Sequence, residues 1–272
     1  MKPICFSIDV ESWVYSKLPE FDALDSPGRK QLDKGYIRDS MRTICDLFEA
    51  HDSRTTFFVL TEMFEWYPDV IREAAARGHE IALHGHTHVA LDNPAALRQA
   101  MRQSLDFIEA MRPQGFRAPF MRLSEPCIDI LKEHGFQYDS STYAPASLVK
   151  SHPRFPEFPV TTRPIRRVPA PLALPRAFAD SARRGEIPYG AAMVFPFLRS
   201  LVSGCIHTDL RRHGYAHLFL HNLQVVPAPT SLFRAPGFLF MHPGCLQFTI
   251  SSRSALEHIL HRFRAVPIRD LL

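Results

Sequence analysis

Two acids and two histidines of this 272-residue chain have the spacing of a metal site. Asp9 and Glu11 stand two apart, just after the apolar run Ile4-Cys5-Phe6-Ser7-Ile8. On an extended backbone, residues two apart point the same way. Two adjacent carboxylates repel unless a proton or a cation lies between them. As an isolated pair they read more simply as a helix N-cap acid and a surface acid. His84-Gly85-His86-Thr87-His88 places three histidines in five residues. His84 and His88, at i and i+4, share a face on one helical turn, a spacing that suits two imidazoles on one cation. His86 then points elsewhere. No Glu follows the first His, so the segment is not the HExxH zincin pattern. One carboxylate with two imidazoles makes a three-ligand site with an open position for water.

Three further positions carry potential chemistry. Arg117-Ala118-Pro119 sets a guanidinium before a stiffening proline, and such a group orients a carboxylate or makes a surface salt bridge. His221 follows the apolar stretch Leu218-Phe219-Leu220. A histidine there serves as a general acid or packs as a bonded core residue. His242, after Leu239-Phe240-Met241, has a nearly identical setting, and the sequence leaves both open.

Short strands must position these residues. The pattern predicts strands over 4–8, 55–60, 79–83, 115–117, 136–138 and 217–220. It predicts helices over 38–50, 68–77, 93–111, 124–134, 198–213 and 254–263. Alternating βα units imply a parallel sheet with helices outside it, open or closed into a barrel. Asp9, Glu11, His84, His88, Arg117, Asp139 and His221 then all fall at the carboxyl ends of strands, on one face. From Pro145 to Pro196 the rhythm fails; that stretch holds ten prolines and one plausible strand, over 165–168. It reads as an irregular insertion at about 145–197, lying over one end of the sheet of a single domain spanning 1–272.

Composition sets the outer bounds. Hydrophobic residues are 46% and charged residues 22%, enough apolar surface for a core, which excludes disorder for the bulk of the chain. No run of about 18 apolar residues exists, so no transmembrane segment is expected. The N-terminus is too short and too acidic for a signal peptide. Five scattered cysteines without a CxxC pair suit a reducing compartment, and the expected location is cytoplasmic. Residues 151–272 hold 15 Arg, no Lys and 6 acids, a net +9, which suggests attraction to something anionic. Nucleic acid is not expected, because the basic residues are dispersed and no binding motif accompanies them.

The ordered set of short motifs resembles the polysaccharide deacetylases with a NodB-homology fold, carbohydrate esterase family 4. The nearest likeness is to the branch whose first motif reads D-V-E. The matching stretches are Phe6 to Trp13, Thr56-Phe57-Phe58-Val59, Gly78 to His88, Phe116-Arg117-Ala118-Pro119, Gly135 to Ser141 and Leu218 to His221. Each is weak alone; the ordered set is specific. The resemblance implies a distorted (β/α) barrel of about seven parallel strands. It implies that Asp9 is the catalytic base, that Arg117 orients it, and that His221 is the general acid. Glu11, His84 and His88 would hold a divalent metal, zinc foremost, with cobalt, nickel, manganese or iron open. Pro119 and Asp139 would lie on the substrate side. The implied activity is removal of an N-acyl group, N-acetyl foremost, from an amino sugar. The alternative substrate is an N-formyl or N-acetyl amino sugar on a nucleotide or lipid phosphate, with peripheral contact at the inner membrane face. A reading of another class is a non-catalytic carbohydrate-binding barrel. One departure stands out: the branch often follows its last histidine with Pro-Trp-Glu, whereas this chain has Asn222-Leu223-Gln224.

Overall fold

The computed structural model describes the chain except residues 1, 16–18, 166–173, 175, 196, 232, 234, 235, 242–248 and 250. The described residues form ten strands: β1 (Ile4–Val10), β2 (Thr56–Val59), β3 (Glu80–Leu83), β4 (Gly115–Phe116), β5 (Tyr138–Asp139), β6 (Tyr143–Pro145), β7 (Val160–Pro164), β8 (Glu186–Ile187), β9 (His217–His221) and β10 (Ala265–Val266). All seven residues of β1 are buried, as expected of a central strand covered on both faces. Seven strands make one parallel sheet in the order β10-β1-β2-β3-β4-β5, with β9 also paired to β1. This is the expected α/β class, a half-barrel of parallel strands ringed by helices. The register sets Asp9 beside both Phe58 and His221, so residues 212 positions apart meet at one strand end.

Helices arise where the 3.6-residue pattern indicates. Tyr36–Glu49 buries Ile37, Met41, Ile44 and Phe48 on one face. Pro68–Ala76 starts at its proline and ends before Gly78, whose φ of +88° suits only glycine without strain. The single helix expected over 93–111 is two, Pro94–Gln103 and Leu105–Met111. They are divided at buried Ser104, whose hydroxyl meets Thr61 Oγ1 at 3.1 Å.

The proline-rich stretch is placed differently from the expectation. Rather than lying over one end of the sheet, residues 156–162 run between β5 and β9. Asp139 N donates to Pro156 O at 3.0 Å, Phe158 N to Asp139 O at 2.8 Å, and Thr161 Oγ1 to His217 O at 2.8 Å. Prolines remove backbone donors but hold the chain extended and leave its carbonyls available. Pro159 O accordingly accepts from the Tyr215 hydroxyl at 2.7 Å. A strand, β7, ends at Pro164, and residues 166–168 of the strand expected over 165–168 lie outside the described ones.

Gly190 completes this wall, accepting from Phe219 N and donating to Thr161 O, both at 3.0 Å. A Cβ there would sit 2.2 Å from His217 O, a backbone atom that cannot swing aside. Gly190→Ala is expected to destabilise the fold by about 3 kcal/mol or more, as overpacking against backbone does. A thermal melt of the purified variant checks this.

Candidate active site

His84 follows β3 and hydrogen-bonds at both ring nitrogens. Its Nδ1 donates to the Arg117 backbone carbonyl at 2.8 Å. That bond orients the ring and aims Nε2 at Glu11 Oε1, 3.2 Å away, where it donates when protonated and would offer its lone pair to a cation once that proton is lost. His88 Nε2 reaches the same oxygen at 3.0 Å. The two imidazoles converge without a helical turn, contrary to the spacing argument. Residues 84–88 form an irregular loop, and Gly85, at φ +94°, supplies the sharp change of direction. His86 does point elsewhere, bonding Thr61 Oγ1 at 2.9 Å.

The backbone of Glu11 is fixed as well: its N–H donates to Asn222 Oδ1 at 3.1 Å. Burial works to raise the Glu11 carboxyl pKa. The imidazoles of His88 and His221, with hydrogen bonds from His84 and His88, outweigh this and hold it well below the usual range. Burial disfavours charge on His84, but Asp9, Glu11 and the Arg117 carbonyl raise its pKa overall. The ligand atoms of Glu11, His84 and His88 all lie within 4.8 Å of one another. One carboxylate oxygen and two oriented imidazole nitrogens fit a divalent cation. Asp9, Glu11 and His221 form a second such trio around the same Glu11.

Asp9 lies 3% exposed beside this cluster, its Oδ2 3.9 Å from His84 Nε2. Its Oδ1 accepts from Arg117 Nη1 at 2.5 Å. Arg117 is fully buried, a costly position for a charge. The sequence makes it tenable: Nε donates to Ser140 O at 3.0 Å, Nη2 to Ser140 Oγ at 2.9 Å, and the guanidinium carbon lies 4.1 Å from the Phe58 ring centroid. His217, 3.5 Å from Nη2, is held neutral by its burial and by that arginine.

His221 Nε2 is 3.9 Å from Glu11 Oε1. Its Nδ1 faces Gln224 Oε1 at 3.1 Å, and Gln224 Nε2 donates to Ala192 O at 3.2 Å. The amide nitrogen must face a carbonyl, so the amide oxygen faces the ring and Nδ1 carries the hydrogen. Nε2 is thereby directed at the cluster. The departure noted at 222–224 is thus structural: Asn222 braces Glu11 and Gln224 braces His221. Sequence reasoning missed both, along with Ser140; the signal was present, because the unusual triplet directly follows a site histidine. His242, the rival to His221, lies outside the described residues. Gln224→Leu is expected to lower turnover about 10–100-fold with metal content unchanged, and Gln224→Glu to restore much of it. Parallel kcat and metal measurements on both variants test this.

Pro119 and Asp139 are not brought to an open surface. Pro119 is buried, and its neighbour Phe120, at φ +60°, stands with its ring centroid 4.3 Å from that of His88. Asp139 is fully buried; it accepts from Ser141 Oγ at 2.7 Å, and Ser141 Oγ accepts from Ala118 N at 2.7 Å. Its carboxyl therefore braces the 117–119 turn instead of offering a free oxygen. Burial raises the Asp139 and Glu157 carboxyls, which lie together, and the charge of Asp139 raises Glu157 further.

The sheet topology and the acid–imidazole cluster at its carboxyl end define a NodB-like α/β half-barrel. Residues 31–138 match the family model of the polysaccharide deacetylases. Peptidoglycan deacetylase-like protein FGM2 of Gibberella zeae is 33% identical over 94 residues, 32% of this chain and 28% of that protein. The peptidoglycan deacetylase of Helicobacter pylori is 24% identical over 148 residues, 51% of this chain and 48% of that protein. The matches thus span less than half of either relative's length. Among solved structures, a "putative polysaccharide deacetylase" from Mycobacterium smegmatis superposes with a TM-score of 0.58 at 18% identity, covering 100% of this chain and 90% of that one. Puue allantoinase superposes at 0.51 and 17% identity, covering 95% and 90%. At such identities the shared property is the fold.

Proposed function

We propose that this protein is a metal-dependent hydrolase that removes an N-acyl group, N-acetyl foremost, from an amino sugar in a glycan. The observation that carries the reading is the convergence of Glu11, His84 and His88 beside an Asp9 gripped by buried Arg117. The family match over residues 31–138 supports an amidohydrolase, and the D-V-E first motif belongs to the same reading. Glu11, His84 and His88 would hold the cation, zinc foremost. When bound, it supplies a Lewis acid that polarises an amide carbonyl and acidifies a water.

The chain's own groups then divide the proton work. Arg117 occupies Asp9 Oδ1 and leaves Oδ2 to take a proton from the attacking water. Oxygen adds to the acyl carbon as that proton leaves. His221, its Nδ1 held by Gln224, presents Nε2 to deliver a proton to the sugar nitrogen as the C–N bond breaks, because an unprotonated amine is a poor leaving group. The products are a free amino sugar and a short carboxylate.

A phosphate-linked amino sugar bearing N-formyl or N-acetyl is the second substrate reading, favoured by the net +9 of residues 151–272. A cytoplasmic location goes with it. Acetate and formate release should be measured on an N-acetylated oligosaccharide and on a nucleotide-linked N-formyl sugar, before and after chelation. Release that stops on chelation and returns with added metal is expected. No release from either substrate at full metal loading would leave the non-catalytic binding barrel as the better account.

A further inference from the structure

Four large apolar side chains stand in water within nine residues: Met193, Phe197, Leu198 and Leu201, exposed by 50%, 61%, 43% and 48%. Single exposed apolar residues are ordinary, but a run of them marks a contact surface. Leu198 and Leu201 are three apart at the start of the helix Arg199–His213, so they share a face. The run adjoins the candidate site, because Ala192 holds Gln224 and Gln224 holds His221.

Charge says what such a surface would meet. Between Glu186 and Asp209 the chain has no acid, and Asp209 itself is buried against Arg163 and Tyr189. Arg199, beside the patch, donates to a neutral partner, Ser254 Oγ, at 2.7 Å. That bond joins the patch to the helix Arg253–Leu260, which adds Arg253 and His258, with Arg262 just beyond. The acid on this helix is Glu257, taken by Arg253 at 3.1 Å. His258 is held below the ordinary imidazole range by its surroundings and by Arg262, Arg199 and His261, a mark of concentrated positive charge.

We infer that the 193–201 rim docks this protein on an anionic lipid surface, with Met193, Phe197, Leu198 and Leu201 entering the headgroup boundary and Arg199 meeting lipid phosphate. Protruding apolar side chains beside Arg199 and Arg262, whose hydrogen-bond partners are not carboxylates, are the chemistry of an interfacial anchor. A second copy of this chain would present the same positive patch and be repelled. The inference needs neither bound metal nor turnover, so it stands or falls apart from the hydrolase reading.

Co-sedimentation of the full chain with phosphatidylcholine vesicles, with and without phosphatidylglycerol, tests it. Binding is expected with phosphatidylglycerol, weakened by salt. The variant F197S/L198S/L201S should bind about tenfold or more weakly. R199Q should bind about fivefold more weakly. The melting temperature and the far-UV circular dichroism spectrum report that both variants stay folded. Three results would overturn the inference: no binding to phosphatidylglycerol vesicles, unchanged binding by the folded triple variant, or a concentration-dependent dimer that the triple variant abolishes.

Discussion

His84→Ala is expected to lose bound metal and turnover together. The substitution removes one of two imidazole donors and empties a buried position between Glu11 and the Arg117 carbonyl. Loss of a group that only orients a ligand costs about 10–100-fold in affinity, and loss of the ligand itself should exceed that. Turnover should fall to background. Elemental analysis after equilibration in a metal buffer reads the first effect, and acyl release reads the second. A folded His84→Ala protein that keeps both would remove His84 from the ligand set.

Asp9→Asn should separate what His84→Ala removes together. Glu11, His84 and His88 are untouched, so metal content is expected to hold. The amide has no charge with which to take a proton, and turnover should drop by about 10²–10⁴-fold, the usual worth of a general base. Arg117 would then be a buried cation without its anion, a situation that costs about 3–5 kcal/mol when nothing compensates. Here Ser140 and the Phe58 ring remain in place, so the loss of stability should fall short of that range. A metal-loaded Asp9→Asn protein with undiminished kcat would show that the base lies elsewhere.

The positions of these residues were largely legible in the sequence, for a simple reason. Parallel βα units put the carboxyl ends of all strands on one side, so Asp9, His84, Arg117 and His221 had to share a face once the strands were recognised. Local conformation was less legible. The i, i+4 spacing of His84 and His88 suggested a helical turn, yet a glycine in the left-handed region brought them together in a loop. Buried bracing was the least legible. Ser140 and Asn222 bond residues far away in the chain, and Gln224 ties its neighbour His221 to distant Ala192; no periodicity marks such bonds. Asp139 was legible as an acid at a strand end, but its bond to Ser141, which turns the carboxyl toward the 117–119 turn, was not. Prolines signal irregularity, yet residues 156–162 of the proline-rich stretch run extended between two strands, their carbonyls and amides bonded to both.

Arg117 contributes twice, through its guanidinium to Asp9 and through its own carbonyl to His84. Both attachments ride on one residue at the end of β4. When the sheet fluctuates, the proton acceptor and the imidazole travel in concert, and their separation is preserved while other distances vary. Catalytic alignment in this protein should therefore survive warming until that single strand terminus detaches, and then fail abruptly.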